Sequence, residues 1–252
     1  MQDIFIDDQG HGTPLVLVHG FLGSSDMWLP QVKFFKDDFR VISPALPGFG
    51  KSNIVNSCDS IECMAKVILR SLELKKIDKF NLLGHSMGGM IVQEIAKIAG
   101  EKILKLICYG TGARGNIPGR FETIDQSREK LKTNGLESSA YRIAKTWFIE
   151  EDKAKYFYLC EAAGKQTSVE AADNGLVAMK NWNGVKNLNN IKNETLIIWG
   201  DQDKAYNFNQ VETLNDNIPK SDLKIIKGSS HNVHLEKPNE FNIIVEEFLK
   251  KN

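Results

Sequence analysis

Gly84-His85-Ser86-Met87-Gly88-Gly89 sets a serine inside a Gly-x-Ser-x-Gly frame. A serine hydroxyl is a poor nucleophile until a base takes its proton and a tight turn exposes it. An apolar run at 80–83 leads into the frame and a helical pattern at 87–99 leads out, the strand–turn–helix context in which such a serine is presented. Glycine at 84 and 88 leaves room for the turn, and the helix start behind Ser86 supplies N–H groups and a positive dipole end. The partners come later in the chain. Gly200-Asp201-Gln202-Asp203 follows an apolar run at 195–199, and Gly228-Ser229-Ser230-His231 follows another at 223–226. In the order Ser, Asp, His, a histidine would take the serine proton and return it to the leaving group, while the acid fixes the imidazole tautomer. His231 sits in the loop just past a strand, whereas His234 leads into the last helix, so His231 is favoured as base. Asp203 is favoured over Asp201, which directly follows the strand glycine and could make local Asx-turn bonds instead. Acyl transfer also needs donors for an oxyanion. The N–H of Met87 and that of Phe21, in His19-Gly20-Phe21-Leu22-Gly23, are the candidates. His19 and His85 read as structural, and His11, between Gly10 and Gly12, as a hairpin residue.

The elements that must position these residues alternate. Apolar runs bounded by Gly or Pro at 15–18, 40–43, 80–83, 104–109, 195–199 and 223–226 read as buried parallel strands. Helical patterns separate them; at 59–74 the apolar positions 61, 64, 65, 68, 69 and 72 form one stripe, with Asp59 and Glu62 as a capping-box variant. The class is α/β: a mostly parallel central sheet flanked by helices, with ligands expected at the carboxyl ends of the strands. Between 111 and 180 the strands stop, and helices are expected at 120–132, 138–148 and 169–179. We read this segment as a helical lid inserted after the strand ending near Tyr109, giving a core of 1–110 and 181–252 and a lid of 111–180.

The chain has 252 residues, 42% hydrophobic and 25% charged, with 32 basic and 32 acidic residues and no net charge. That composition supports a packed core and argues against disorder and against nucleic acid as a partner. The first residues show neither a basic region nor an apolar stretch, and no run approaches the ~20 residues of a membrane span, so no membrane partner and a cytoplasmic location are expected. Cys58, Cys63, Cys108 and Cys160 lack Cys-x-x-Cys spacing; reduced packing thiols are expected, with neither metal nor cofactor.

Taken together, His19-Gly20-Phe21, Leu46-Pro47-Gly48-Phe49-Gly50-Lys51-Ser52, the Ser86 frame, Gly200–Asp203 and His231-Asn232-Val233-His234-Leu235-Glu236-Lys237-Pro238 resemble the α/β-hydrolase fold from end to end. The resemblance implies Asp203 as the acid and His231 as the base. Ala45 departs from it, since relatives commonly carry a structural Asp there. Serine at 86 argues against the haloalkane dehalogenases and epoxide hydrolases, which use Asp. The segment Phe21–Leu22–Gly23–Ser24–Ser25 suits the C–C hydrolases less well than their usual glycine-rich run. The layout of 110–114, 134–137, 145–148 and 179–182 is similar to the 3-oxoadipate enol-lactonase-like and carboxylesterase group. The implied activity is a serine hydrolase cleaving a small carboxylic ester or lactone through an acyl-enzyme on Ser86. The alternatives are a C–C hydrolase or perhydrolase/haloperoxidase-type relative with the same triad, or a non-catalytic binding protein of the same fold. Trp147 and Phe148 could line an apolar pocket or simply pack the lid. Arg114 and Arg142 could meet a substrate carboxylate or remain surface residues. The oligomeric state is left open.

Overall fold

A computed structural model describes residues 2–117 and 119–251. Seven strands form one sheet: β1 (Ile6–Gln9), β2 (Thr13–Val18), β3 (Phe39–Pro44), β4 (Phe80–His85), β5 (Ile103–Tyr109), β6 (Thr195–Gly200) and β7 (Ser221–Ile226). Their spatial order is β1-β3-β2-β4-β5-β6-β7, and all pairs are parallel except β1 with β3. Because side chains alternate across a strand, consecutive residues feed two cores. Val16, Val18, Leu82, Leu106 and Cys108 face one side, against α2 (Ile61–Leu74) and α3 (Met87–Ala99). Leu15, Leu17, Leu83 and Ile107 face the other, against α1 (Leu29–Phe35) and the last helix (Pro238–Lys250). Burial on both faces explains why these strands read as unbroken apolar runs.

β1 escapes such reading because its sequence, Ile-Asp-Asp-Gln, lies on the sheet edge and is only partly buried. It pairs with β3 and not with β2, so His11 is not the tip of a hairpin; the chain crosses over the end of β3 there. Gly10, at φ +82°, has no room for a Cβ, which would lie 2.4 Å from the Phe39 carbonyl oxygen.

Among the described residues, four α-helices lie between β5 and β6: α4 (Ile124–Asn134), α5 (Leu136–Lys145), α6 (Phe157–Lys165) and α7 (Val169–Asn181). α8 (Phe208–Asn217) joins β6 to β7, and the short α9 (Val233–Glu236) precedes the last helix, α10. α2 is capped by Ser60, whose side chain accepts from the Cys63 amide, and not by an Asp59–Glu62 box. Ser60 is the residue with extended backbone just ahead of the first turn, so only its oxygen is placed to accept. The same turn brings Cys58 and Cys63 to a Cα separation of 5.8 Å, and the two are disulfide-bonded. This corrects the expectation of four reduced thiols, because the helix start folds back a pair that looks unremarkable in linear spacing; Cys108 and Cys160 are free and buried. Among the described residues no helix is long and apolar enough to cross a membrane.

Candidate active site

β4 delivers Ser86 and α3 carries the chain away. Ser86 adopts φ 56° and ψ −118°, a strained conformation for a residue with a side chain. Four hydrogen bonds hold it there. Its amide donates to the Tyr109 carbonyl at 2.9 Å. Its carbonyl accepts from the Gly89 amide at 2.9 Å, the Met90 amide at 3.3 Å and Thr111 Oγ1 at 2.8 Å. The turn is tight enough that a Cβ on Gly84 would lie 2.2 Å from the Gly88 carbonyl oxygen, and one on Gly88 2.3 Å from that of Val18.

The β6 and β7 loops meet beside it. His231 Nδ1 lies 2.8 Å from Asp203 Oδ2, and both side chains are almost wholly enclosed. The other Asp203 oxygen accepts the amides of Ala205 at 2.7 Å and Tyr206 at 3.1 Å, so the carboxylate is fixed from both sides. Asp201 points elsewhere: its Oδ1 accepts the Gly228 amide at 2.7 Å and ties the two loops together. The His231 carbonyl is pinned by Tyr109 Oη at 2.8 Å and His85 Nε2 at 3.2 Å. His234 lies behind this layer, its Nδ1 3.1 Å from Tyr109 Oη. His19 bridges the Gly20 carbonyl at 2.8 Å and the Leu46 amide at 3.0 Å, fixing the loop after β2. That loop passes close over the elbow, since a Cβ on Gly20 would lie 2.9 Å from Ser86 Cβ. Neither the Phe21 nor the Met87 amide has an acceptor among the described residues; Met87 opens α3, where amides have no partner within the helix.

Ser86 and His231 line one narrow cavity with Phe21, Trp147, Arg120 and Tyr206. It measures about 380 Å³, but only about 20 Å³ is open to the centre of a water molecule, so it holds roughly one water as it stands. Trp147 faces it, with its ring centroid 6.2 Å from that of His231. Three other pocket expectations are corrected. Phe148 is fully buried against Phe157 in the helical segment, because its side chain points the opposite way from its neighbour's. Arg114 is exposed and bridges by its backbone to Asn183. Arg142 forms a two-pronged pair with Glu122 at 2.9 and 3.0 Å, which holds it away from the cavity. Sequence reasoning missed Tyr206 and Arg120. The Tyr206 ring stacks on His231 with centroids 5.7 Å apart and lines the same cavity as Ser86. A tyrosine three residues past an acid carries no motif, and neither does one arginine among the many of a helical segment. Among the described residues no cluster of His, Cys, Asp and Glu is placed to hold a metal ion.

Burial also sets the charge of the histidines around the site. Desolvation pushes His19 down to about 4 and His234 to about 3, and holds His85 well below the usual imidazole range. The unfolded chain binds protons at these three sites that the folded chain refuses. Stability is then complete above the ordinary imidazole pKa of ~6.5 and falls as pH drops below it, with a slope of up to roughly 4 kcal/mol per pH unit. Glu236, whose carboxyl burial raises, works in the opposite direction but is one group against three. We expect the urea midpoint to hold between pH 8 and 7 and to fall steadily from pH 6 to 4; a flat midpoint would show that the three rings can be charged in place.

A serine elbow at the centre of a parallel sheet, with Asp–His contact from the last two strand ends, defines a class. Residues 13–238 match the alpha/beta hydrolase fold family, and the chain belongs to it. Hydrolase activity is what that membership supports. The monoacylglycerol lipase ABHD6 of Rattus norvegicus is 24% identical over 265 residues, covering 95% of this chain and 76% of that protein. A thermophilic esterase from Thermogutta terrifontis, solved with malate bound, is 25% identical with a TM-score of 0.86, over 98% of this chain and 93% of that one. The enol-lactonase from Burkholderia xenovorans LB400 has a TM-score of 0.89 at 22% identity, over 98% and 96%; at that identity the likeness speaks for the fold.

Proposed function

We propose that the chain is a serine hydrolase of a small carboxylic ester or lactone, working through an acyl-enzyme on Ser86. The observation that carries this reading is the Asp203–His231 hydrogen bond at the cavity that Ser86 lines. With Nδ1–H held by Asp203, His231 presents Nε2 as the acceptor for the Ser86 proton. Ser86 Oγ attacks the carbonyl carbon, and the unpartnered amides of Phe21 and Met87 receive the oxyanion. The imidazolium gives its proton to the departing alkoxide; in a lactone that alkoxide stays tethered to the acyl group. Water then enters, loses a proton to His231 and attacks the acyl carbon, and the acid leaves as His231 returns that proton to Ser86 Oγ. The rat lipase, the Thermogutta esterase and the Burkholderia enol-lactonase bear names that fit ester or lactone cleavage.

The helices between β5 and β6 act as a lid in this reading. They supply Ile117, Phe121, Ile143, Trp147 and Met179 to the cavity wall. Glu236 holds them against the His231 loop, accepting the Ile149 amide at 2.7 Å and the Ser230 amide at 2.6 Å. Room for about one water means that these walls part to admit a substrate. The test is a fluorophosphonate probe followed by peptide mass analysis. Stoichiometric labelling at Ser86 is expected, because only an activated serine reacts. No labelling, or labelling that persists in Ser86→Ala, overturns the proposal. A panel of short and long esters with small lactones should show its optimum at the short end.

A further inference from the structure

Arg120 is the one cation on the wall of the Ser86 cavity, and among the described residues it has no hydrogen bond and no ion pair. A guanidinium carries five N–H donors in a rigid fork, and Arg120, half-buried at the cavity wall, meets no protein acceptor for them. The carboxylate nearest in sequence, Glu122, is already taken: Arg142 grips it with two bonds, Lys130 Nζ lies 2.8 Å away and Ser127 Oγ 2.5 Å. Asp203 is likewise filled by His231 and two amides. On the Ser86 side Arg120 has Phe121 under its guanidinium at 5.3 Å and Ile117 beside it on the wall, and on its outer side it borders an open cleft with Asn116 and Thr123. Its polar neighbours on the wall of the Ser86 cavity are Tyr206, Ser86 and His231. Loss of hydration pulls the guanidinium below its usual range, while burial pushes the Tyr206 phenol up to about 12, so the phenol stays a neutral donor.

We propose that Arg120, with Tyr206 beside it, is a subsite for a carboxylate on the substrate, so that the molecule cleaved at Ser86 is a short ester or lactone bearing a free acid group. The inference rests on the serine-hydrolase reading and adds the substrate's charge to it. A carboxylate offers the planar pair of acceptors that the guanidinium fork fits and the cavity lacks. Lining of one void by Arg120, Tyr206 and Ser86 places recognition and chemistry within one short molecule.

The test compares acids with their neutral amide isosteres: monomethyl glutarate against methyl 4-carbamoylbutanoate for an acid on the acyl side, and acetoxyacetate against acetoxyacetamide for one on the alcohol side. In the wild type, kcat/KM for the acid should exceed that for the amide by about 10²-fold in at least one pair, the scale of a charge-assisted fork. Arg120→Gln should collapse that ratio to near unity, and Arg120→Lys, a point charge without the fork, should keep roughly tenfold of it. A ratio of one or less in both wild-type pairs, or a ratio that survives Arg120→Gln, overturns the proposal. A structural arginine would leave the glutamine variant less stable; one kept for a ligand leaves its Tm equal or higher, because an uncompensated charge has gone. Glutarate binding by calorimetry separates the two readings. Ser86→Ala should bind it at least tenfold more tightly than Ser86→Ala/Arg120→Gln. No glutarate binding sinks the Arg120 subsite, whereas Arg120-dependent binding without probe labelling at Ser86 sinks the serine chemistry alone.

Discussion

Ser86→Ala and His231→Ala each lower kcat by about 10⁴-fold or more, and the double variant costs little beyond either single one. The reason is that the two side chains act as one device. Ser86 Oγ attacks only as its proton leaves, and among the described residues the one base on its cavity wall is His231. His234 cannot substitute, because Tyr109 engages its Nδ1 and the ring lies behind the His231 backbone. His85 cannot either, with its ring stacked on Tyr109 and its Nε2 on the His231 carbonyl. Ser86→Ala keeps the backbone bonds that define the elbow, since the amide and carbonyl of residue 86 make them and the hydroxyl does not. That variant should therefore fold with an unchanged circular dichroism spectrum, and residual activity reports the amides and the cavity alone. Steady-state kinetics on one short activated ester measures the loss. Activity within tenfold of wild type in either single variant would remove that residue from the mechanism.

What the sequence made legible follows from burial. β2 and β4 to β6 lie inside the sheet with both faces covered over most of their length, so their sequences are mainly apolar, and the glycines of the elbow mark a turn that no other residue fits. β1 was illegible because an edge strand needs no apolar run and its pairing partner, β3, lies beyond β2 in sequence. α6 was missed because a short, mostly apolar Phe-Tyr-Leu-Cys-Glu-Ala-Ala-Gly-Lys stretch has little amphipathic contrast. The arginines show the limit most clearly. Arg114, Arg120 and Arg142 are equivalent in a linear reading, and what sorts them is the company each keeps. Arg142 finds Glu122, Arg114 finds solvent, and Arg120 alone is turned into the cavity. Partnership across twenty residues, from ahead of α4 to within α5, has no period and no spacing rule. Phe148 and Trp147 differ by one position and face opposite ways for the same reason: the turn after α5 sets their directions, and composition does not.

Asp203→Asn lowers kcat by about 10³- to 10⁴-fold while Asp201→Asn costs about tenfold or less, although the two residues are near neighbours in one loop. The structure supplies the reason in the way each carboxylate is held. Asp203 Oδ1 accepts two amides, from Ala205 and Tyr206, and only an oxygen can do that. An asparagine at 203 must therefore keep its carbonyl oxygen toward those amides, which turns its NH₂ group toward His231 Nδ1. Two donors cannot face each other, so His231 would move its proton from Nδ1 to Nε2. The nitrogen facing the cavity would then carry a hydrogen and could no longer accept the Ser86 proton. The fold would be kept, the fork of contacts would be kept, and the tautomer would be wrong. Asp201 makes a single bond, to the Gly228 amide, and the carbonyl oxygen of an asparagine can replace it. Its loss of charge falls on a loop tie outside the cavity wall. Kinetics of both purified variants on the same ester, with thermal unfolding to confirm that each is folded, decide the matter. If Asp201→Asn is the crippled enzyme and Asp203→Asn is not, the 2.8 Å contact with His231 does not set the imidazole tautomer during turnover.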